Sequence, residues 1–213
     1  AALVGPDIFG ITVGKIGDAS ELDHVEAHIE RLEAEAGMEK GRVRLVPWIE
    51  TARAVVNAYE ICSASPRVVA VAFGAEDFTN DMEIERTEDA SEIVYPRQAI
   101  GVAARAADVL ALDTPWVAFR DPDGLKRDAR AARGYGFRGK FAIHPSQIGP
   151  INEAFAPTEA ELEYARRVIS VFEEAEESGS GATSLDGKMI DIPVVRRARG
   201  LLDMASRSVA PRE

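Results

Sequence analysis

Five short runs, each closed by a polar or charged residue, constrain this chain more than any other feature in it. They are residues 8–13 before Gly14 and Lys15, 43–49 before Glu50, 68–73 before Gly74, Glu76 and Asp77, 109–112 before Asp113, and 140–143 before His144. They read as short strands, and 68–73 is too short and too β-branched for a helix and continuous enough for a strand buried on both faces. Between them lie helical patterns. Leu22, Val25, Ile29, Leu32 and Ala36 share one face of a first helix, with Asp18 or Ser20 as N-cap and Gly37 and Gly41 bracketing its end. Further helices are predicted over 51–61, over the alanine-rich 97–108, and over 123–133, where Gly134-Tyr135-Gly136 stops the pattern. Strands alternating with amphipathic helices imply βα units and a parallel sheet.

Lys15, Glu50, Glu76 with Asp77, Asp113 and His144 all fall at the carboxyl ends of these strands. Active sites of parallel α/β folds are built there, so the register predicts a shared catalytic rim. Polar residues at strand exits also serve as N-caps and turn formers. Past the third strand Glu76, Asp77, Asp81, Glu83 and Glu85 crowd together, which reads either as a divalent-cation site or as a solvated acidic loop. Glu50 and Asp77 are the strongest pair. Each follows one of two consecutive strands, and a strand spacing of ~4.8 Å brings their carboxylates to one cation. Two carboxylates with water and substrate oxygens suit Mg²⁺.

Composition narrows the classes further. The chain has 213 residues, 46% hydrophobic and 29% charged, which suits one soluble globular domain or a large part of one. A formal net charge of −11 repels phosphates and argues against nucleic-acid or anionic-membrane partners. The single cysteine, Cys62, excludes an internal disulfide, fits a reducing cytosol or matrix and reads as a core residue. No run is long enough to span a bilayer as a helix. Three histidines and one cysteine do not cluster with zinc-ligand spacing. There is no nucleophile elbow, Walker loop or G-x-G-x-x-G motif.

After the fifth unit the pattern changes. Pro157-Thr158 opens a long helix with Leu162, Ala165, Ile169 and Phe172 inward and an acidic, solvated outer face. Residues 178–184 read as a flexible linker, 186–191 as a hairpin or turn, and Pro193 starts a last helix. The predicted organisation is a sheet domain over 1–156, a helix over 157–177, and a linker with a lid or oligomerisation arm over 178–213.

PWIETARAVVNAYEI (47–61), AVAFGAEDFTND (70–81), GKFAIHPSQIGPIN (139–152) and GKMIDIPVVRRA (187–198) resemble the citrate lyase β-subunit-like (HpcH/HpaI aldolase/citrate lyase) family, which includes malyl-CoA and citramalyl-CoA lyases. The resemblance implies a (β/α)8 TIM barrel, Mg²⁺, an acyl-CoA substrate, a cytoplasmic homotrimer or hexamer, and reversible carbon–carbon cleavage. The substrate would be a 3-hydroxyacyl-CoA carboxylate of the malyl-, citramalyl- or citryl-CoA type, split into an acyl-CoA and a 2-oxoacid. It puts the metal ligands on Glu50 and Asp77 and makes Asp191 the lid aspartate supplied by a neighbouring subunit, which exchanges a proton with the acyl-CoA carbon. Without the resemblance, Asp191 reads as an N-cap two residues before Pro193. Lys15, Arg97, Arg138 and His144 are candidates on the substrate and CoA side, the arginines for CoA phosphates; His144 before a proline also reads as a structural rim residue. Two departures stand out. Val13-Gly14-Lys15 stands where the family commonly has a proline before the lysine, and the chain begins at what resembles strand four, so the resemblance implies a barrel without its first three βα units, whether by truncation, by processing or because a partner chain supplies them. Other readings of the same residues are an acyl-CoA thioesterase, a 2-oxoacid aldolase, or a non-catalytic scaffold or regulatory subunit.

Overall fold

A computed structural model of the chain describes residues 4–87 and 89–209. It forms two compact units, Ala1–Phe155 and Ala156–Glu213. The first contains β1 (Gly10–Val13), α1 (Ala19–Glu35), β2 (Arg44–Ile49), α2 (Ala52–Val56), α3 (Ala58–Ser63), β3 (Ala70–Phe73), α4 (Ala75–Asp81), α5 (Val94–Ala106), β4 (Leu110–Asp113), α6 (Pro122–Gly134), β5 (Gly139–Lys140) and α7 (Ile148–Phe155). Its strands form one parallel sheet in chain order, β1 to β5. Helices between successive strands share one core with the sheet, as parallel neighbours joined by crossovers of one hand require.

That arrangement explains a burial pattern the sequence did not predict. Val43, Leu45, Ile49, Val71, Phe73 and Ala111 point toward the helices and share a core with Leu22, Ile29, Ile61, Ile100 and Phe137. The opposite face is less covered: Val46, Trp48 and Leu112 are half-buried and Leu110 is 52% exposed. β3 is buried on both faces; β1, β2 and β4 are not. The sheet is also curled. Trp48 on β2 and Phe141 just past β5 pack with ring centroids 4.5 Å apart and their planes tilted by 32°. In a flat sheet at ~4.8 Å per strand, three spacings would separate those strands by about 14 Å.

Several boundaries shift for local reasons. The predicted helix over 51–61 is two helices joined at Asn57, whose side-chain amide donates to the Gly17 carbonyl at 3.0 Å. β5 is shorter than predicted because the Ile143 N–H donates to Gln147 Oε1 at 2.9 Å. The acidic stretch after β3 is only partly a loop: Glu76, Asp77 and Asp81 belong to α4, and Glu83 and Glu85 follow it. Asp18 is the N-cap of α1, accepting from the Ser20 N–H at 3.0 Å.

Buried ion pairs fix the helices to the sheet. Near the amino end of β2, Glu33 accepts the N–H of Val43 at 2.8 Å and pairs with Arg67 at 2.7 Å. The Arg67 hydrogen bond is the main reason the Glu33 carboxyl is held down to about 2. At the carboxyl end of the sheet, Arg97 of α5 bonds Asp113 at 3.0 and 2.9 Å and Asp128 of α6 at 2.9 Å. Lys140 of β5 bonds Asp113 at 2.6 Å and Asp128 at 2.5 Å. Two cations and two carboxylates thus cancel inside the protein. Burial works to raise the Asp128 carboxyl, but Lys140 and Arg97 outweigh it and lower it below the usual range.

The second unit holds α8 (Glu159–Glu177), β6 (Thr183–Leu185), β7 (Lys188–Ile190) and α9 (Ile192–Val209). Thr158 and Glu161 form a capping box at the start of α8. Asp186 and Gly187, with φ of 50° and 73°, make the tight turn between β6 and β7, so the predicted linker ends in a strand. Phe172, Leu185, Ile190 and Val195 share this unit's small core. The end of the predicted arm, 210–213, lies outside the described residues. Among the described residues no helix is long and apolar enough to cross a membrane.

Removing one member of the buried quartet strands the others. Asp113→Asn is expected to cost about 3 kcal/mol in urea denaturation, with part of the loss recovered in the Asp113→Asn, Lys140→Met double variant. A cost under about 1 kcal/mol would show that the quartet does not hold the sheet to its helices.

Candidate functional site

β1, β2 and β3 end side by side, with Val13 level with Pro47 and Ile49 level with Phe73. Glu50 follows β2 directly and is 8% exposed. Its Oε2 accepts the backbone N–H of Lys15 at 2.9 Å. Its stem runs against Gly74 at the exit of β3. A Cβ on residue 74 would sit 2.7 Å from Glu50 Cγ and 2.9 Å from Oε1. Glycine is needed there for close approach, since its φ of −111° suits any residue.

Asp77 lies in the first turn of α4, and its Oδ1 pairs with Lys15 Nζ at 3.3 Å. Lys15 therefore touches both carboxylates, one through its backbone and one through its ammonium. Its φ is 58°, in the left-handed region.

Hydrogen bonds between neighbouring strand exits hold this arrangement. The Ala52 N–H, two residues past Glu50, donates to Asp81 Oδ2 at 2.8 Å. Thr51 caps α2 by accepting the Ala54 N–H at 3.1 Å. The Ala75 N–H, at the start of α4, donates to Thr114 Oγ1 at 3.1 Å. Arg53 pairs with Asp18. Neither the Ala52–Asp81 nor the Ala75–Thr114 bond follows from the sequence, because the partners are 29 and 39 residues apart. Glu76 is held by Arg86 at 3.0 Å, and Glu83 and Glu85 are exposed.

The remaining candidates separate. Asp113 is not on an open rim and Arg97 is not an exposed arginine: the two are bonded to each other in the quartet, with Arg97 1% exposed, so its guanidinium is closed to a phosphate. Arg138 is exposed but precedes β5, on the amino-terminal side of that strand. His144 is exposed at the β5 exit, accepts the Ser146 N–H at Nδ1 at 3.2 Å, and stacks on Phe119 with centroids 5.4 Å apart. Asp191, in the second unit, caps α9 by accepting the Val194 N–H at Oδ1 at 3.3 Å.

Two hard oxygen donors with a cation already against one of them fit a magnesium-type ion. Among the described residues no group of three or more His, Cys, Asp or Glu could hold a metal.

A family model described as HpcH/HpaI aldolase/citrate lyase matches residues 1–145. The citrate lyase subunit beta of Leuconostoc mesenteroides subsp. cremoris is 40% identical over 205 residues, covering 96% of this chain and 68% of the relative. The mitochondrial citramalyl-CoA lyase of Rattus norvegicus is 36% identical over 172 residues, covering 77% of this chain and 51% of the relative. This chain thus spans between half and about two thirds of those relatives' length. The structure of CitE from Mycobacterium tuberculosis in complex with magnesium, acetoacetate and coenzyme A superposes with a TM-score of 0.71 at 30% identity, covering 92% of this chain and 77% of that one. The chain belongs to the HpcH/HpaI aldolase/citrate lyase family, a family of lyases.

Proposed function

We propose that this chain carries the metal-holding part of a Mg²⁺-dependent lyase that reversibly cleaves a 3-hydroxyacyl-CoA carboxylate into an acyl-CoA and a 2-oxoacid. The observation that carries the proposal is the pairing of Glu50 and Asp77 around one cationic residue at the carboxyl ends of neighbouring strands. The ligands named for the M. tuberculosis structure, magnesium, acetoacetate and coenzyme A, support the same substrate class. The less covered face of the sheet and the strand order support reading β1 to β5 as the last five strands of a (β/α)8 barrel. The single cysteine supports a cytoplasmic setting.

In this reading Glu50 and Asp77 hold the metal, and Gly74 leaves the space in which Glu50 reaches it. When bound, Mg²⁺ supplies Lewis-acid polarisation of the substrate's oxygens. Asp191 exchanges a proton with the acyl-CoA carbon through Oδ2, since Oδ1 is engaged at the α9 cap. It acts across subunits of a homotrimer or hexamer, with water excluded by the arm that carries it. His144, stacked on Phe119 at the rim, offers a flat surface to the CoA moiety; buried Arg97 and Arg138 on the far side of β5 have no part.

Mg²⁺-dependent turnover of malyl-, citramalyl- and citryl-CoA tests the reaction, with the chain assayed alone and with any N-terminal segment that completes it. Asp77→Asn and Glu50→Gln are each expected to lower kcat/KM by at least about 100-fold. Turnover unchanged by Asp77→Asn removes the metal assignment, and no turnover on any of the three thioesters removes the lyase reading. Gly74→Ala is a finer probe. By pushing the Glu50 side chain it is expected to weaken Mg²⁺ affinity by about 10-fold or more while the fold survives, read as a shift in the Mg²⁺ concentration for half-maximal activity.

A further inference from the structure

We infer that Lys15 is the internal counter-cation of the Glu50–Asp77 pair: it keeps both carboxylates in place and gives up Asp77 when a divalent metal ion arrives. The inference rests on the metal reading above and deepens it. Its first ground is that one residue reaches both groups, with the backbone N–H on Glu50 Oε2 at 2.9 Å and Nζ on Asp77 Oδ1 at 3.3 Å. Without a cation there, neighbouring carboxylates repel each other.

The second ground is the backbone. Lys15 holds a φ of 58°, a conformation unfavourable for any residue with a Cβ, although Gly14 beside it tolerates such angles freely. A non-glycine residue in that region persists where its surroundings hold it, and such positions cluster at functional sites. Here the turn lets the N–H meet Glu50 while the side chain reaches Asp77.

The third ground is the contrast with Lys140. The Lys140 side chain is fully buried between Asp113 and Asp128, where nothing can replace it. The Lys15 and Asp77 side chains are 76% and 50% exposed. An ion pair this open to water is weak and screened by salt. A doubly charged metal with Glu50 as a second ligand displaces it readily, whereas a buried pair would shut the metal out. Lys15 therefore sets the metal affinity of the site as well as its geometry.

Mn²⁺ titration of the metal-free chain, followed by electron paramagnetic resonance in the absence of substrate, tests this. Lys15→Gly keeps the N–H to Glu50 and removes the ammonium; Lys15→Met keeps the Cβ and removes the charge. Both are expected to bind Mn²⁺ about 3- to 10-fold more tightly than the wild type at about 20 mM salt, with the gain shrinking at about 500 mM. Lys15→Arg, which retains the charge, is expected to stay within about 2-fold of the wild type. If neither neutral variant tightens binding while Asp77→Asn weakens it, the Lys15 inference is overturned and the metal site stands. If Asp77→Asn leaves Mn²⁺ affinity unchanged, the metal reading falls and takes the inference with it.

Discussion

Because every connection between neighbouring strands crosses on the same side, the sheet is covered by helices on one face only and bends toward the other. The Trp48–Phe141 contact is the direct mark of that bend. Curling sets the position of every residue considered at the strand exits. It turns the carboxyl ends of β1, β2 and β3 toward a common region, so that Lys15, Glu50 and Asp77 meet although 35 and 62 residues separate Lys15 from its two partners. The helix-facing core supplies the rigidity: Leu45, Ile49, Val71 and Phe73 are fully buried, and the segments that leave their strands start from fixed points.

On that frame the chain uses charge in two different ways. In the quartet of Arg97, Asp113, Asp128 and Lys140 every charge is matched and buried, which ties α5 and α6 to β4 and β5. At the other strand exits the charge is open and exchangeable. Lys15 meets Asp77 in water, and Glu50 is held by a backbone N–H instead of a competing side chain. The first arrangement suits permanence; the second suits a site whose cation comes and goes. Hydrogen bonds from Ala52 to Asp81 and from Ala75 to Thr114 keep the open site from relaxing, because each ties one strand exit to the next.

Much of this was legible in the sequence, and the misses have physical causes. β1 to β4 follow from their short apolar runs and α1 from its 3.6-residue pattern. The placement of Glu50 and Asp77 just past two neighbouring strands follows from the same runs. The strand-exit rule also marked Asp113 and His144, and there it stopped discriminating. Asp113 is sequestered by partners from α5, α6 and β5, and a single sequence does not display pairings between remote charges. His144 caps the short turn that follows it, the bland alternative for any polar residue before a proline. Arg97 was misjudged because arginine is usually exposed, whereas here two aspartates compensate its burial. The one-sided burial of β2 and β4 was likewise hidden, since an apolar run looks the same whether or not its second face is covered.

The central claim is that Glu50 and Asp77 together hold a divalent cation at the place now guarded by Lys15. Crystals of the chain soaked in Mn²⁺ and measured at a wavelength where manganese scatters anomalously test it most directly. The expected result is a single strong anomalous peak bonded to carboxylate oxygens of both Glu50 and Asp77, with Lys15 Nζ moved off Asp77. A peak bonded elsewhere, or none at Mn²⁺ concentrations that saturate the chain in solution, would contradict the account.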